Sequence, residues 1–223
     1  MPRWQPVRAT EGVVHVWRAD LEAIGDQPTQ LLCDEELARA ARIVPARKRV
    51  LWAGSRGVLR ALLGRYLDRD PRALCFVLGP HGKPALSSEG PTRPAPTGDL
   101  RFNLSHSGGL ALVAVTVGRE VGVDVEVPRG RVDELAITAR VLGREQARRM
   151  AGLNSRARAR AFLRAWVAHE AVVTCVGLGL APPPEDTLRE DLWSTQLDVG
   201  PRAVAAVAVE GGRCELRCRE WRG

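Results

Sequence analysis

The stretch VGVDVEV, residues 121–127, decides how the rest of the chain is interpreted. Its alternating β-branched residues predict a strand. Side chains two positions apart share one face of a strand, so the valines form one face, while Asp124 and Glu126 lie together on the other. We expect the valine face to pack into a core. Gly122 has no side chain, so another part of the chain can approach its backbone closely.

Two carboxylates held side by side on a strand suit a hard cation such as Mg²⁺, which prefers oxygen ligands. The alternative is a half-exposed strand whose acidic face is simply solvated. The stretch taken alone does not decide between these two interpretations.

Composition limits the class of protein. The chain has 223 residues, of which 45% are hydrophobic, as in a globular protein. We expect no membrane contact, because no apolar run reaches the roughly eighteen residues of a spanning helix. The first twelve residues lack the apolar core of a signal peptide, so a cytoplasmic location is expected. The net charge of +7 predicts a polyanionic partner, namely a nucleic acid, an acidic protein or a phosphorylated small molecule.

Periodicity divides the chain into two parts that meet near residue 118. Apolar residues at helical spacing predict a long helix over 46–67 and another over 156–176. One or two helices interrupted near Gly143 are expected over 132–150. Alternating patterns predict strands over 12–21, 74–78, 192–198, 202–209 and 213–219. Residues 87–99 and 182–184 are rich in proline and are predicted to be a loop and a linker.

Two segments of the first part could bind anions. A basic cluster begins the helix over 46–67, with Arg47, Lys48 and Arg49 in its first turn and Arg56 two turns later. Such a cluster is either a solvated face or a phosphate clamp. The segment Ser105-His106 precedes two glycines, and hydroxyl and backbone N–H donors beside glycine suit an anion. A purely structural turn is the alternative.

The long helix of the second part carries a further acid. Glu170 follows His169 and lies four residues after Trp166, so the three occupy neighbouring parts of one helix face. A carboxylate among bulky apolar side chains needs a partner that compensates its burial. A metal ion shared with Asp124 and Glu126 would be such a partner.

Four motifs occur in order along the chain: Gly82-Lys83-Pro84, FNLSHS at 102–107, GVDVE at 122–126 and WVAHEA at 166–171, followed by Gly177. Their sequence and order resemble those of Sfp-type 4′-phosphopantetheinyl transferases. Two positions depart from the family pattern, because His169 and Thr174 occupy the places of the two motif lysines.

The resemblance implies an α+β fold of two similar α/β halves related by a pseudo-twofold axis. In each half a long helix would pack on a small, mainly antiparallel sheet. The first half, residues 1–118, would contact the nucleotide of coenzyme A. The second half, residues 119–223, would carry the metal site and the helix with WVAHEA. Coenzyme A would lie in the cleft between the halves, and a monomer is expected.

The resemblance also implies an activity, which is transfer of 4′-phosphopantetheine from coenzyme A to a serine of an apo acyl or peptidyl carrier protein. Mg²⁺ would be bound by Asp124, Glu126 and Glu170. Glu170, Asp124 and His169 would be the catalytic residues, with Glu170 helping to remove the serine proton. The donor would contact a set of residues in the first half: Arg47, Arg49, Arg56, Lys83, Pro84, Ser105 and His106.

Two alternatives remain open at this point. The first is a degenerate, non-catalytic relative that binds coenzyme A or a carrier protein, which the changes at His169 and Thr174 favour. The second is a nucleic-acid-binding protein, which rests on net charge alone and leaves the paired acids unexplained. We expect no nucleic acid partner.

Overall fold

Two long helices enclose two β-sheets in the computed structural model, which describes residues 6–79, 81–87, 99–128, 130, 132–177 and 191–223. The described residues form α1 (Asp34–Ala41), α2 (Ala46–Leu67), α3 (Glu134–Val141), α4 (Arg144–Ala151) and α5 (Ser155–Cys175). The strands are β1 (Val13–Asp20), β2 (Phe76–Leu78), β3 (Pro84–Leu86), β4 (Leu100–Ser107), β5 (Leu110–Val117), β6 (Val121–Glu126), β7 (Trp193–Leu197), β8 (Val204–Val209) and β9 (Glu215–Trp221). The chain is therefore a mixed α+β protein.

The strands form three sheets. The first has the order β4-β5-β1-β9, the second is the hairpin of β2 and β3, and the third has the order β6-β8-β7. All pairs are antiparallel except β1 with β9, which run parallel. Strand β9 thus belongs to the sheet of the first half, although its residues fall within 119–223.

The core has a layered arrangement. Helix α2 packs on one face of the first sheet through residues such as Leu59 and Leu62. The other face of that sheet packs against β6 and β8, and Val121, Val123 and Val125 are fully buried there. Helix α5 covers the outer face of the third sheet. Each long helix therefore packs on its own sheet, while the pseudo-twofold axis stays a prediction.

The sequence predicted several of these elements closely. The helix expected over 46–67 is α2, and that expected over 156–176 is α5. Gly143 separates α3 from α4 with a φ of 96°, a value that favours glycine. The predicted loop over 87–99 falls almost wholly outside the described residues, as does the predicted linker over 182–184. None of the described helices is both long and apolar enough to span a membrane.

Candidate functional site

Strand β6 presents its two acids on one face, as the alternation predicted, and that face lies towards helix α5. Gly122, Asp124 and Glu126 occupy the face opposite the buried valines. A β-carbon built at Gly122 would collide with the backbone of α5 at Ala171 and Cys175. The close approach expected at this glycine is therefore that of α5, which carries the half-buried Glu170.

Polar side chains of β4 connect the first half to the backbone of β6. The Asn103 side-chain oxygen accepts a hydrogen bond from the Val123 amide at 2.8 Å. The Ser105 and Ser107 hydroxyls accept in the same way from Val125 at 3.3 Å and from Val127 at 3.0 Å. Donor and acceptor are 20 residues apart at every step. We call this series the side-chain ladder.

The two serines of the ladder also contact the acids. Ser105 Oγ lies 2.7 Å from Asp124 Oδ1, and Ser107 Oγ lies 2.7 Å from Glu126 Oε2. The second carboxylate oxygen of Asp124, Oδ2, is buried and forms no hydrogen bond within the described chain. A buried carboxylate oxygen without a partner is costly, so this atom is suited to accept a cation.

The pKa values of Asp124 and Glu170 are raised because both carboxyl groups are buried near other acids. The pKa of Asp124 is raised to about 7, chiefly by burial and also by the charges of Glu126 and Glu170, against the lowering effect of the Ser105 hydrogen bond. Burial also raises the pKa of Glu170, and the charge of Glu126 adds to that rise. Repulsion between carboxylates of this kind is relieved by a bound cation.

Within the described ranges, no three His, Cys, Asp or Glu side chains already meet as a metal cage. Mg²⁺ commonly binds through one or two carboxylates together with waters and substrate phosphates, so it does not require such a cage. The adjacent Asp124 and Glu126, with the unpartnered Asp124 Oδ2, fit this kind of ion.

One cavity lies beside the ladder in the first half. It has a volume of about 600 Å³ and is lined by both apolar and basic side chains: Ile43, Arg47, Lys48, Leu51, Trp52, His106 and Gly108. Strand β4 places His106 on the opposite face from Ser105 and Ser107, and its side chain is exposed. Arg47 is exposed as well and pairs with Glu22 at 2.5 Å. The structure therefore brings His106 and Arg47 together. Ser105, which was expected to contact the donor beside His106, instead lies on the other face of β4 and binds Asp124.

The other two arginines lie differently. Arg49 is half-exposed in the first turn of α2 and is not part of the described lining of this cavity. Arg56 binds Glu36 of α1 at 2.7 Å and stacks over Phe76, with its side chain only 13% exposed. Glu36 also binds the buried Arg60. Arg56 is thus engaged in an internal ion-pair network and does not face His106.

Lys83 and Pro84 line a second cavity, of about 510 Å³, near the start of β6. The Lys83 ammonium donates to Glu120 at 2.7 Å, to the Val121 carbonyl at 3.0 Å and to the Cys175 carbonyl at 3.3 Å. Lys83 therefore ties the β2–β3 hairpin to both β6 and the end of α5. Pattern reasoning missed Glu120, because nothing in its immediate neighbourhood marks it as a partner of Lys83.

His169 is half-buried on α5 beside Glu170. Burial lowers the pKa of His169 below its ordinary value. The imidazole is therefore neutral at physiological pH in the free chain and does not reproduce the charge of a lysine.

Besides Glu120, the site residues missed by the sequence analysis are Asn103 and Ser107. Their signal was the occurrence of polar side chains at alternate positions of a strand whose opposite face is largely apolar. The sequence could not show that these side chains face the backbone of β6.

Comparison with known proteins gives the family. The sequence model described as the 4′-phosphopantetheinyl transferase superfamily matches residues 120–204. The chain is 33% identical to the 4′-phosphopantetheinyl transferase HetI of Nostoc sp. PCC 7120 over 213 residues, which cover 89% of this chain and 88% of HetI. It is 34% identical to the 4′-phosphopantetheinyl transferase AcpT of Salmonella typhimurium over 114 residues, 51% of this chain and 54% of AcpT. The chain therefore belongs to the 4′-phosphopantetheinyl transferase superfamily.

Proposed function

We propose that the chain transfers the 4′-phosphopantetheine group from coenzyme A to a serine of an apo acyl or peptidyl carrier protein, with Mg²⁺. One observation supports this most directly. Asp124 keeps one buried carboxylate oxygen without a hydrogen bond, beside the charges of Glu126 and Glu170. A site with excess negative charge and an unused oxygen is suited to a cation that neutralises a pyrophosphate.

The reaction exchanges a phosphoanhydride bond of the pyrophosphate for a phosphoester bond to serine. The carrier serine oxygen forms a bond to the phosphorus that carries pantetheine, and the bond from that phosphorus to the bridging oxygen breaks. Adenosine 3′,5′-bisphosphate leaves with that oxygen, and the serine proton must be taken up by a base. The chemistry that Mg²⁺ supplies when bound is neutralisation of charge on the phosphates.

The acids of this chain would divide these tasks. Asp124 and Glu126 would bind the cation, with Glu170 as the third ligand or as the base that accepts the serine proton. Burial and the charge of Glu126 raise the pKa of Glu170, which makes it a better proton acceptor than an exposed carboxylate.

The donor would extend from these acids into the first half. His106 and Arg47 line one cavity. Their hydrogen-bond donors and the positive charge of Arg47 suit the 3′-phosphate of coenzyme A. Arg49 begins the same helix and would add charge nearby. Lys83 and Pro84 line the cavity at the other end of β6 and would contact the donor there. His169 would act as a neutral hydrogen-bonding residue.

The finer features expected from the resemblance belong to the same proposal. They are the Sfp type, two halves related by a pseudo-twofold axis with coenzyme A between them, a monomeric state and a cytoplasmic location. The net charge of +7 suits an acidic carrier protein.

A second candidate function is binding of the same partners without transfer of phosphopantetheine. It is favoured by one observation, namely that the lowered pKa of His169 leaves a motif lysine position without charge. Such a protein would bind coenzyme A or a carrier protein without turnover.

Mass spectrometry of an apo carrier protein tests both candidates. The carrier is incubated with the chain, coenzyme A and Mg²⁺, and a mass increase equal to one phosphopantetheine group is expected. A matched reaction with the Asp124→Ala variant, and one with a chelator, should leave the carrier unmodified. Tight binding of coenzyme A without any mass increase, over several apo carriers, would favour the second candidate.

A further inference from the structure

The hydrogen-bond directions in the side-chain ladder are fixed by the backbone of β6. A serine hydroxyl has a single proton, and a backbone N–H can only donate. Ser105 and Ser107 must therefore accept from the amides of Val125 and Val127. Each hydroxyl then has its own proton available for the neighbouring carboxylate, 2.7 Å away in both cases.

The register of the ladder assigns one serine to each acid. Ser105 accepts from the amide of residue 125 and donates to the acid at 124. Ser107 repeats the same arrangement one step further, with the amide of residue 127 and the acid at 126. Each serine is therefore held by the backbone amide of the residue that follows its acid. In this way the backbone of β6 orients the carboxylates of β6 through the serine hydroxyls of β4.

The first step of the ladder lacks this second contact. Asn103 accepts from the Val123 amide at 2.8 Å, but the preceding residue is Gly122, which has no side chain. Asn103 therefore holds the strand without touching an acid. Asn103 thus only supports the strand, whereas Ser105 and Ser107 also orient a carboxylate.

We propose that Ser105 and Ser107 are positioning residues, each of which fixes the rotation of one carboxylate so that its other oxygen is presented to the cation. The inference rests on the proposed function, since it takes Asp124 and Glu126 as cation ligands. It goes beyond that function by assigning Ser105 to the acid at 124 and by adding Ser107, a residue only 3% exposed. Partners of this kind orient metal ligands that would otherwise rotate.

A titration with Mn²⁺ tests the proposal without relying on activity. Binding is monitored through the electron paramagnetic resonance signal of the free ion. Ser105→Ala and Ser107→Ala should each bind Mn²⁺ roughly 10- to 100-fold more weakly than the unmodified chain. The control Asn103→Ala removes a step of the ladder without touching an acid. Its Mn²⁺ affinity should stay within about threefold, although it should lose stability comparable to the serine variants.

A transfer assay gives a second readout that general loss of structure would not produce. The Mg²⁺ concentration for half-maximal rate should rise in both serine variants. At saturating Mg²⁺, kcat and the KM for coenzyme A should return to within about threefold of the unmodified values. If Ser107→Ala does not fold, the isosteric pair Ser107→Thr and Ser107→Val replaces it. Retained Mn²⁺ affinity in the threonine variant, with loss in the valine variant, supports the assignment.

The outcomes separate this inference from the proposed function. Equal Mn²⁺ affinity in the serine variants and the unmodified chain overturns the positioning roles and leaves the proposed function standing. Equal weakening in Asn103→Ala and the serine variants overturns them too, because the effect then comes from the strand as a whole. An unmodified chain that binds no Mn²⁺, with or without coenzyme A, overturns the metal-dependent function and the positioning roles together.

Discussion

Gly122 of β6 lies directly against the carbonyl oxygen of Ala171 in α5, and a β-carbon at this glycine would lie 2.5 Å from the Cys175 backbone nitrogen. Both neighbours are helix backbone, so neither can rotate away as a side chain can. The contact sets how near the acids of β6 lie to Glu170.

Gly122→Ala should therefore push β6 and α5 apart. Overpacking of a core costs about 1 to 3 kcal/mol, so we expect a lower free energy of unfolding together with a loss of transfer activity. Chemical denaturation and the carrier assay would measure the two effects. Gly152→Ala is the matched control, because a β-carbon at Gly152 meets nothing within 4 Å. Equal stability of the two variants would contradict the tight contact.

Asp124→Asn should abolish transfer and stabilise the free chain. The folded-state pKa of Asp124 is raised to about 7, so the ionised form is disfavoured by the fold. That destabilisation is absent at low pH and fully present above about pH 7, and asparagine removes it. Thermal melts without divalent cations should therefore show a larger rise in Tm at pH 8 than at pH 5.5. An equal change at both pH values would show that Asp124 is not strained by its charge.

His106→Ala should weaken the use of coenzyme A. Loss of a hydrogen bond to a charged group commonly costs about 1.5 to 3 kcal/mol, which corresponds to a rise of roughly 10- to 100-fold in the KM for coenzyme A. Dephospho-coenzyme A lacks the 3′-phosphate, so its KM should change much less. Steady-state kinetics with both donors measure this difference. A similar change for the two donors would place His106 away from that phosphate.

His169→Gln should leave the affinity for coenzyme A nearly unchanged between pH 6.5 and 8. Burial lowers the pKa of His169, so the neutral imidazole predominates over this range, and a neutral amide can replace its hydrogen bonding. Isothermal titration of both forms at several pH values would test this. A pH-dependent loss of affinity that appears only in the unmodified chain would show that bound phosphates protonate His169.

A second histidine should control acid stability. His15 is 2% exposed, and its Nδ1 lies 2.6 Å from the Tyr66 hydroxyl. Burial lowers its pKa, with further lowering by Arg219 and Arg217 and an opposing effect of Glu215. The neutral form is therefore favoured by the fold, and stability is complete above about pH 6.5, the unfolded value.

Stability should consequently fall as the pH drops from 7 towards the lowered folded value, because unfolding then takes up a proton at His15. Urea unfolding across pH 5 to 7.5 would measure the slope, and His15→Gln should flatten it. Identical slopes in the two forms would assign the acid sensitivity to other groups.

The sequence was most informative where local pattern and tertiary role agree. Helix α2 is long and apolar at helical spacing, so its limits could be predicted from periodicity. The shared face of Asp124 and Glu126 follows from strand geometry alone. Strand β3 has only three residues, too few for an alternation to be recognised.

Long-range partners could not be predicted in this way. Arg56 and its partner Glu36 are 20 residues apart on different helices, and a basic helix face looks the same whether or not it is paired. The same holds for Ser105, whose hydroxyl would suit a phosphate but which contacts Asp124. Charge and hydrogen-bonding capacity can be read from a sequence, whereas the choice between internal and external partners depends on the packed chain.

The parallel pairing of β1 with β9 bears on how the chain reaches its native state. Strand β1 obtains one of its two neighbours from residues about 200 positions later, as the pair Arg18 and Glu220 illustrates with a separation of 202. During synthesis, that side of β1 carries unpaired N–H and C=O groups until β9 has emerged from the ribosome. A fragment cut at residue 118 would keep this open edge permanently and would be prone to aggregate through it.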